Sequence, residues 1–167
     1  MADRLFRFVL LRVGDREVAL DLTEETFFKF WQTLLTDNQI QSENALLFTI
    51  ARNKVIDWYR KKKPESLDSM IESALDEDRE PIQVIDEKAC EEMQISVEAS
   101  AAIRDLQKLA PQYREILQMR FVDDLSIEEM AEILHISANA VSLRVHHGIQ
   151  KLREKLGINL ENENDKP

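Results

Sequence analysis

The sequence predicts an all-α protein in which two small helical domains are joined by an acidic flexible linker, the second being a helix-turn-helix domain. Three features lead to this prediction. Only three glycines and four prolines occur among 167 residues, a composition that favours helices. Apolar residues recur at helical spacing before residue 64 and after residue 97. The residues between, 64–97, are acidic and carry only scattered apolar side chains, which is typical of a linker.

The negative charge of the chain is concentrated in one stretch. The formal net charge is −10, which is unusual for a protein that binds nucleic acid. Residues 64–102 contain twelve acidic residues against two basic ones, Arg79 and Lys88, so this stretch accounts for −10 and the rest of the chain sums to zero. The distribution of charge, rather than its total, therefore bears on the partners.

The composition disfavours several classes of protein. No apolar run approaches the ~20 residues that span a bilayer and no signal-peptide pattern is present, so we expect a cytoplasmic protein without membrane insertion. The single cysteine, Cys90, excludes an internal disulfide. His146 and His147 are adjacent, and neighbours on a helix diverge by about 100°, so they do not form an i, i+4 metal site. We expect no metal, no cofactor and no catalytic residues.

The first domain, residues 1–63, is predicted to begin with two helices. The run from Arg4 to Val13 is typical of a helix that ends near Gly14. Asp15 then caps a second helix that extends to about Leu35. The apolar stripe of this second helix is predicted to be buried and consists of Phe27, Phe30, Trp31 and Leu34.

Carboxylates occupy the outer side of the second helix, at Asp21, Glu24 and Glu25. Such a cluster has three interpretations: a solvated surface, a pair of catalytic acids, or a docking patch for a basic partner. Catalysis is the least favoured, because no His, Cys or metal-ligand cluster converges with these residues in the sequence.

A third helix is predicted from Ala45 to the end of the first domain. Opposite its apolar stripe it carries three polar residues within about 60° of one another, namely Asn53, Asp57 and Arg60. It ends in a basic run, Arg60, Lys61, Lys62 and Lys63. A basic run at this position often only offsets the helix dipole. With Trp58 and Tyr59 close by, the run also suits single-stranded or melted nucleic acid. We favour this interpretation because a separate DNA-reading unit lies downstream.

The second domain, residues 98–157, is predicted to contain a helix through Leu109, a helix opened by Pro111, and a helix-turn-helix unit. The buried side of the Pro111 helix is predicted to consist of Tyr113, Ile116, Leu117 and Phe121. Ser126 and Glu129 have the spacing of a capping box. His135 lies at the turn, where a residue with positive φ is needed. The tail, residues 158–167, is predicted to be disordered.

The last helix has one buried side and one face suited to DNA. Ser137 caps it, and its buried side is predicted to consist of Val141, Val145, Ile149, Leu152 and Leu156. The far side and its flanks carry Asn139, Ser142, Leu143, Arg144, His146 and His147. Asn pairs with adenine, a small apolar chain contacts a thymine methyl, and Arg or His reaches guanine or phosphate. The alternative for any one of these residues is an ordinary solvated surface.

Three stretches together resemble the extracytoplasmic-function sigma factors, the small promoter-specificity subunits of bacterial RNA polymerase. They are LFRFVLLRVGDREVALDLTEETFFKFWQ, LLFTIARNKVIDWYRKKK and LPQYREILQMRFVDDLSIEEMAEILHISANAVSLRVHHGIQKLRE, the last with Ala110 inserted after Leu109. Their joint order is specific, whereas the last stretch alone would fit many helix-turn-helix proteins.

The resemblance implies a division of labour between the two domains. The first is similar to the family's region 2, in which the face around Asp21, Glu24 and Glu25 would dock on the coiled-coil clamp of the polymerase β′ subunit. The basic helix would then read and help to melt the −10 element. The second domain is similar to region 4, which would read the −35 element as duplex while touching the β flap. An anti-sigma factor is a further expected partner.

The sequence departs from the family pattern in both domains and leaves two rival functions open. Glu24 stands where the family often has Gln. His135 stands where Gly is common, and Ala140 to Arg144 differ from the usual recognition-helix run, so promoter preference is not carried over. One rival is a stand-alone helix-turn-helix regulator, although no sustained heptad for dimerisation is visible. The other is a metal-dependent nuclease using the carboxylates of the second helix.

Overall fold

A computed structural model of the chain describes residues 1–36, 40–62 and 97–157, with side chains from residue 101 onward in the last range. Within these residues the secondary structure is helical throughout, which confirms the predicted all-α class. The helices are α1 (Ala2–Val13), α2 (Arg16–Thr36), α3 (Glu43–Lys62), α4 (Val97–Gln107), α5 (Pro111–Phe121), α6 (Ile127–Leu134) and α7 (Ala138–Leu156). The predicted linker and the predicted disordered tail lie outside the described residues, except for Val97.

The first half of the molecule, residues 1–62, is a bundle of α1, α2 and α3. Gly14 ends α1 with φ 70°, and its N–H donates to the carbonyl oxygen of Leu10. Asp15 caps α2 as predicted, its Oδ1 accepting from the N–H groups of Glu17 and Val18 at 2.9 and 3.1 Å. The core of this bundle includes the fully buried side chains of Leu5, Phe8, Leu10, Leu47, Phe48, Ala51 and Val55.

The second half, residues 97–157, contains the predicted helix-turn-helix unit. Pro111 occupies the first turn of α5. Ser126 and Glu129 form the predicted capping box at the start of α6: the Ser126 Oγ accepts from the Glu129 N–H, and the Glu129 carboxylate accepts from the Ser126 N–H. His135 ends α6 with φ 55°, and Ser137 caps α7. All of these local predictions are confirmed.

Gly148 brings α7 close to α5, a contact that the sequence patterns did not indicate. It is buried in the middle of α7, and a Cβ at this position would lie 3.1 Å from Cγ of Leu117. Glycine in a helix interior lowers the stability of the helix. Its presence here is explained by the close approach of α5, which leaves little room for a side chain. This packing fixes the orientation of α7.

Three side chains predicted to be buried are exposed: Trp31, Phe121 and Leu156. In α2 the buried side is formed by Ala19, Leu22, Thr23, Thr26 and Phe30. Trp31 lies about 100° from Phe30 on the helix and is turned away from this side. Two threonines take the inner positions because their hydroxyls donate to Ala19 and Leu22 carbonyl oxygens of the same helix. Phe121 and Leu156 are the last residues of α5 and α7, where little remains to cover them.

The two halves pack directly against each other, with α1 and α3 on one side and α5, α6 and the turn between them on the other. Arg12 and Asp123 form an ion pair at 2.8 Å, and Arg52 and Glu115 form a second one, also at 2.8 Å. Arg4 donates to the carbonyl oxygens of Asp123 and Asp124. No pattern in the sequence had predicted a contact between the halves.

Candidate nucleic-acid interface

The face of α7 that the sequence singled out is exposed along its whole length. It consists of Asn139, Ser142, Leu143, Arg144, His146 and His147, here called the recognition face. On the opposite side Val141 is fully buried and Val145, Ile149 and Leu152 pack against the core. The helix is thus anchored on one side and open on the other, as a helix that enters a DNA groove must be.

The recognition face offers several different contacts to base edges. Asn139 carries an amide that can pair with adenine, and Arg144 carries a guanidinium for guanine or phosphate. The Ser142 hydroxyl donates to the Ala138 carbonyl oxygen at 3.0 Å, which leaves its lone pairs as acceptors. Leu143 is 51% exposed among these polar groups and suits the methyl group of thymine.

A second exposed surface follows one side of α3 through Asn53, Asp57 and Arg60 and continues around its C-terminal turn through Lys61 and Lys62. It is here called the basic face. Arg60 and Asp57 form an ion pair at 3.3 Å, with both side chains more than half exposed. Such exposed pairs contribute little to stability, so the Arg60 guanidinium can exchange Asp57 for a phosphate. Lys63, predicted to extend this face, lies outside the described residues.

Aromatic rings accompany the basic face. The Lys62 Nζ lies 4.7 Å from the centre of the Trp58 ring, within the range of a cation–π contact. The rings of Trp58 and Tyr59 meet edge to face with centroids 4.9 Å apart. Proteins that bind single-stranded nucleic acid use basic side chains to contact the phosphate backbone and aromatic rings to stack on the bases. This part of α3 offers both.

Tyr59 fixes the C-terminal end of α3, and therefore the basic face, to α1. Its hydroxyl donates to the carbonyl oxygen of Arg12. Burial raises the pKa of Tyr59 to about 12, an effect that the Arg12 guanidinium partly offsets. The phenol consequently remains protonated and able to donate throughout the physiological pH range.

The third face lies on α2 and combines carboxylates with apolar side chains. Asp21 and Glu24 are exposed as predicted. Beside them, and not predicted, three large apolar side chains are exposed, Phe28 by 68%, Trp31 by 60% and Leu35 by 83%. These five residues, here called the acidic-apolar face, lie within about 80° of one another on the helix. The sequence did carry a signal of this second apolar surface. Phe27 and Phe28 are adjacent, and two adjacent residues cannot both lie on one narrow stripe of a helix.

Glu25 differs from the other predicted carboxylates of α2. Its Oε2 forms an ion pair with the Lys54 Nζ at 2.5 Å, so it is turned towards α3. The pair remains partly exposed and connects the two helices that carry the acidic-apolar face and the basic face. Because exposed pairs contribute little to stability, Glu25 stays, with Asp21 and Glu24, a predicted contact for a partner.

Comparison with known proteins connects both halves to one family. The Sigma-70 region 2 profile matches residues 1–65, and the profile for Sigma-70, region 4 matches residues 102–152. The chain is 29% identical over 156 residues to the ECF RNA polymerase sigma factor SigW of Bacillus subtilis (strain 168), covering 92% of this chain and 83% of the relative. It belongs to the extracytoplasmic-function sigma factors.

Further comparisons agree with this assignment. The ECF RNA polymerase sigma factor SigX of Bacillus subtilis (strain 168) is 26% identical over 157 residues, covering 92% of this chain and 78% of the relative. The fold matches that of a sigma factor, RpoE, solved in complex with the anti-sigma factor NepR from Bartonella quintana. The TM-score is 0.64 and the sequence identity 22%, over 95% of this chain and 92% of that one.

Membership of this family establishes the general function of the chain. It is an alternative sigma factor that directs promoter recognition by RNA polymerase. The stand-alone regulator loses its support, because region 2 precedes the helix-turn-helix unit in the same chain. In the described parts of the chain, no helix is long and apolar enough to cross a membrane.

Tyr59→Phe should lower the free energy of unfolding at pH 7 by about 1 kcal/mol, because a donated hydrogen bond is lost. The tyrosine should also make stability fall at alkaline pH. The unfolded chain releases the phenolic proton near pH 10, whereas the folded chain retains it to about pH 12. The free energy of unfolding therefore falls as the pH rises between these two values. Urea unfolding followed by circular dichroism at pH 7, 10 and 11.5 measures both effects.

Tyr113→Phe is the matched control and should keep the alkaline decline. A Tyr59→Phe protein whose stability falls between pH 10 and 12 as steeply as the wild type would contradict the assignment of this hydrogen bond.

Proposed function

We propose that this sigma factor uses its three exposed faces for three different partners. The acidic-apolar face of α2 docks on the coiled-coil clamp of the polymerase β′ subunit. The basic face of α3 reads and helps to melt the −10 element, and the recognition face of α7 reads the −35 element while the second half touches the β flap. The observation that carries this proposal is the presence of three exposed faces, on three helices, each with the chemistry of its partner. The protein then needs no catalysis of its own and acts in the cytoplasm beside the core enzyme.

Docking on polymerase is supported by the mixture of charge and apolar surface on α2. Adjoining exposed apolar side chains that form a patch often mark an interaction site, and Trp is prominent among residues that dominate binding energy in protein interfaces. Trp31 is flanked by Phe28 and Leu35 on the acidic-apolar face. The carboxylates of Asp21 and Glu24 would steer a basic partner and fix its register.

Recognition of the −10 element is supported by the make-up of the basic face. Three basic side chains, Arg60, Lys61 and Lys62, lie in the last turn of α3, where they can neutralise phosphates. Asn53 lies two turns earlier on the same side and can pair with a base edge. Trp58 offers a ring on which an unpaired base can stack.

An anti-sigma factor is the further partner that we propose. A solved structure with the same fold is that of a sigma factor in complex with an anti-sigma factor. The acidic-apolar face is the surface that an inhibitor would cover with the greatest effect, because covering it would block polymerase docking and hide the exposed aromatic side chains together.

Glu24→Lys should weaken binding to core polymerase by on the order of tenfold or more, since a like charge would face a basic partner. The holoenzyme that does form should retain its promoter preference. Affinity is measured by fluorescence anisotropy of the labelled chain titrated with core enzyme. Glu43→Lys is the control: it makes the same charge change at an exposed site on α3 and should leave the affinity unchanged. Equal effects of the two variants would refute docking through α2.

Asn53→Ala combined with Arg60→Ala should leave core binding intact and reduce promoter melting, because these side chains contact the opened strand. Permanganate reactivity of unpaired thymines reports the melted region. The control Lys108→Ala with Gln112→Ala removes the same types of group from exposed positions in the second half and should melt promoters normally. Normal melting by the Asn53/Arg60 variant would show that α3 does not read the −10 element.

Arg144→Ala should reduce holoenzyme binding to duplex promoter about tenfold, because a cationic contact to base or phosphate is lost. If the contact is to phosphate, the slope of log affinity against log salt should fall by about 1. Arg153→Ala, which removes an exposed arginine from the last turn of the same helix, is the control. Identical promoter binding by the two variants would show that Arg144 does not contact the promoter.

A further inference from the structure

The three histidines of the chain all lie in the helix-turn-helix unit, at His135, His146 and His147. All three side chains are exposed. His135 ends α6 at the turn, whereas His146 and His147 belong to the recognition face of α7. Histidine is the side chain whose charge ordinarily changes between pH 5 and 8. The charge of the recognition face is therefore sensitive to pH in this range.

The two histidines of α7 occupy different parts of the recognition face. At about 100° per residue, His146 lies within about 20° of Asn139, near the centre of the face. His147 lies on one flank, between Arg144 three residues before it and Lys151 four residues after it. Residues three and four apart are neighbours on a helix surface. One imidazole is thus central, and the other lies within a row that already contains two cations.

Permanent positive charge is scarce in this part of the molecule. Arg144 is the one permanent cation among the six residues of the recognition face. The helix-turn-helix unit, residues 126–157, has four basic side chains, Arg144, Lys151, Arg153 and Lys155, and four acidic ones, Glu128, Glu129, Glu132 and Glu154. It therefore has no net charge while its histidines are neutral. Because cations that neutralise phosphates supply much of the affinity of a protein for duplex DNA, two protonated histidines would change this unit substantially.

The surrounding helices leave the imidazoles of His146 and His147 without a charged partner. The helices that pack against α7 are α4, α5 and α6. Their described titratable and charged side chains are Arg104 and Asp105 on α4, Tyr113, Arg114, Glu115 and Arg120 on α5, and Glu128, Glu129 and Glu132 on α6. Among the side chains that the structure describes, no ion pair joins any of these groups to either histidine. A phosphate of bound DNA could therefore pair with either imidazole.

The flank that contains His147 is suited to a phosphate strand. Lys151 forms an ion pair with Glu154 at 2.9 Å, in which both side chains are more than half exposed. Such a pair contributes little to stability, so Lys151 can exchange Glu154 for a phosphate. A phosphate strand placed against Arg144 and Lys151 would favour the charged form of the imidazole between them. By linkage, a proton that is taken up on binding also strengthens binding.

We propose that His146 and His147 bind the duplex −35 element in their protonated form, so that promoter binding takes up protons. The inference rests on the proposed function of the recognition face and adds the charge state in which this face binds. The imidazolium of His147 contacts a phosphate between the contacts of Arg144 and Lys151. That of His146 donates to a guanine edge or a phosphate in the groove. Affinity for the duplex therefore rises as the pH falls from 8 to 6.

Promoter affinity at different pH values tests the proposal in the holoenzyme. The probe is a fluorescent duplex promoter fragment that ends upstream of the −10 element, so that strand melting does not contribute. Fluorescence anisotropy at pH 6, 7 and 8 should show about tenfold tighter binding at pH 6 than at pH 8, which corresponds to an average uptake of about half a proton over this range. The slope of log affinity against log salt should steepen by about 1.

His146→Gln with His147→Gln keeps polar side chains at both positions but removes the charge change, and should reduce the tenfold ratio to less than about twofold. His135→Asn is the matched control. It removes the third exposed histidine of the same unit, lies off the recognition face, and inserts a residue that also adopts positive φ. The control should keep the tenfold ratio, and circular dichroism checks that all three proteins remain helical.

Proton uptake is measured directly by calorimetric titration of the holoenzyme with the same fragment at pH 7, in two buffers with different heats of ionisation. The wild type should take up about half a proton or more, and the His146/His147 variant close to none. An equal pH dependence of these two proteins would overturn the inference, and so would its loss in the His135 variant. A holoenzyme that binds the fragment at no pH would instead contradict the proposed function of the recognition face, and the inference would fall with it.

Discussion

The buried ion pair between Arg12 and Asp123 is the interaction on which the arrangement of the molecule depends. The Arg12 side chain bonds the Asp123 carboxylate in the second half, while its carbonyl oxygen accepts the hydroxyl of Tyr59 from α3. A single residue of α1 therefore links the helix that carries the basic face to the half that carries the recognition face. Because both charges are almost completely buried, neither tolerates the loss of the other.

Helix α3 has two roles that its periodicity keeps separate. Arg52 is buried and pairs with Glu115 across the interface, whereas Asn53, the next residue, is exposed on the basic face. A step of about 100° per residue is enough to give neighbouring positions opposite roles. Helix α7 follows the same rule, with Val141 and Gly148 packed inside and Leu143 and Arg144 outside. The surfaces proposed to bind nucleic acid thus remain exposed, while the inner sides form the core.

Local structure could be predicted from the sequence because its causes are local. The capping box of Ser126 and Glu129 and the positive φ of His135 each depend on a few neighbouring residues. Side-chain burial was less predictable: Trp31 has the spacing of a core residue, yet α2 buries Thr23 and Thr26 on its inner side instead. The ion pair between Arg12 and Asp123 could not be predicted, because the two residues are 111 positions apart in the chain and neither has a distinctive neighbourhood. The position of Arg12 on the apolar side of α1 indicated burial with a partner. Nothing in the sequence around Asp123 indicated that it was this partner.

The central claim is that this chain alone gives core polymerase a choice of promoter. The most direct measurement is run-off transcription with bacterial core enzyme on a pool of promoter fragments, with and without the purified chain, followed by mapping of the transcript start sites. We predict transcripts from defined start sites only when the chain is present, preceded by shared sequence elements near −10 and −35. Start sites that do not change on addition of the chain, in mixtures where it is bound to core enzyme, would contradict the claim.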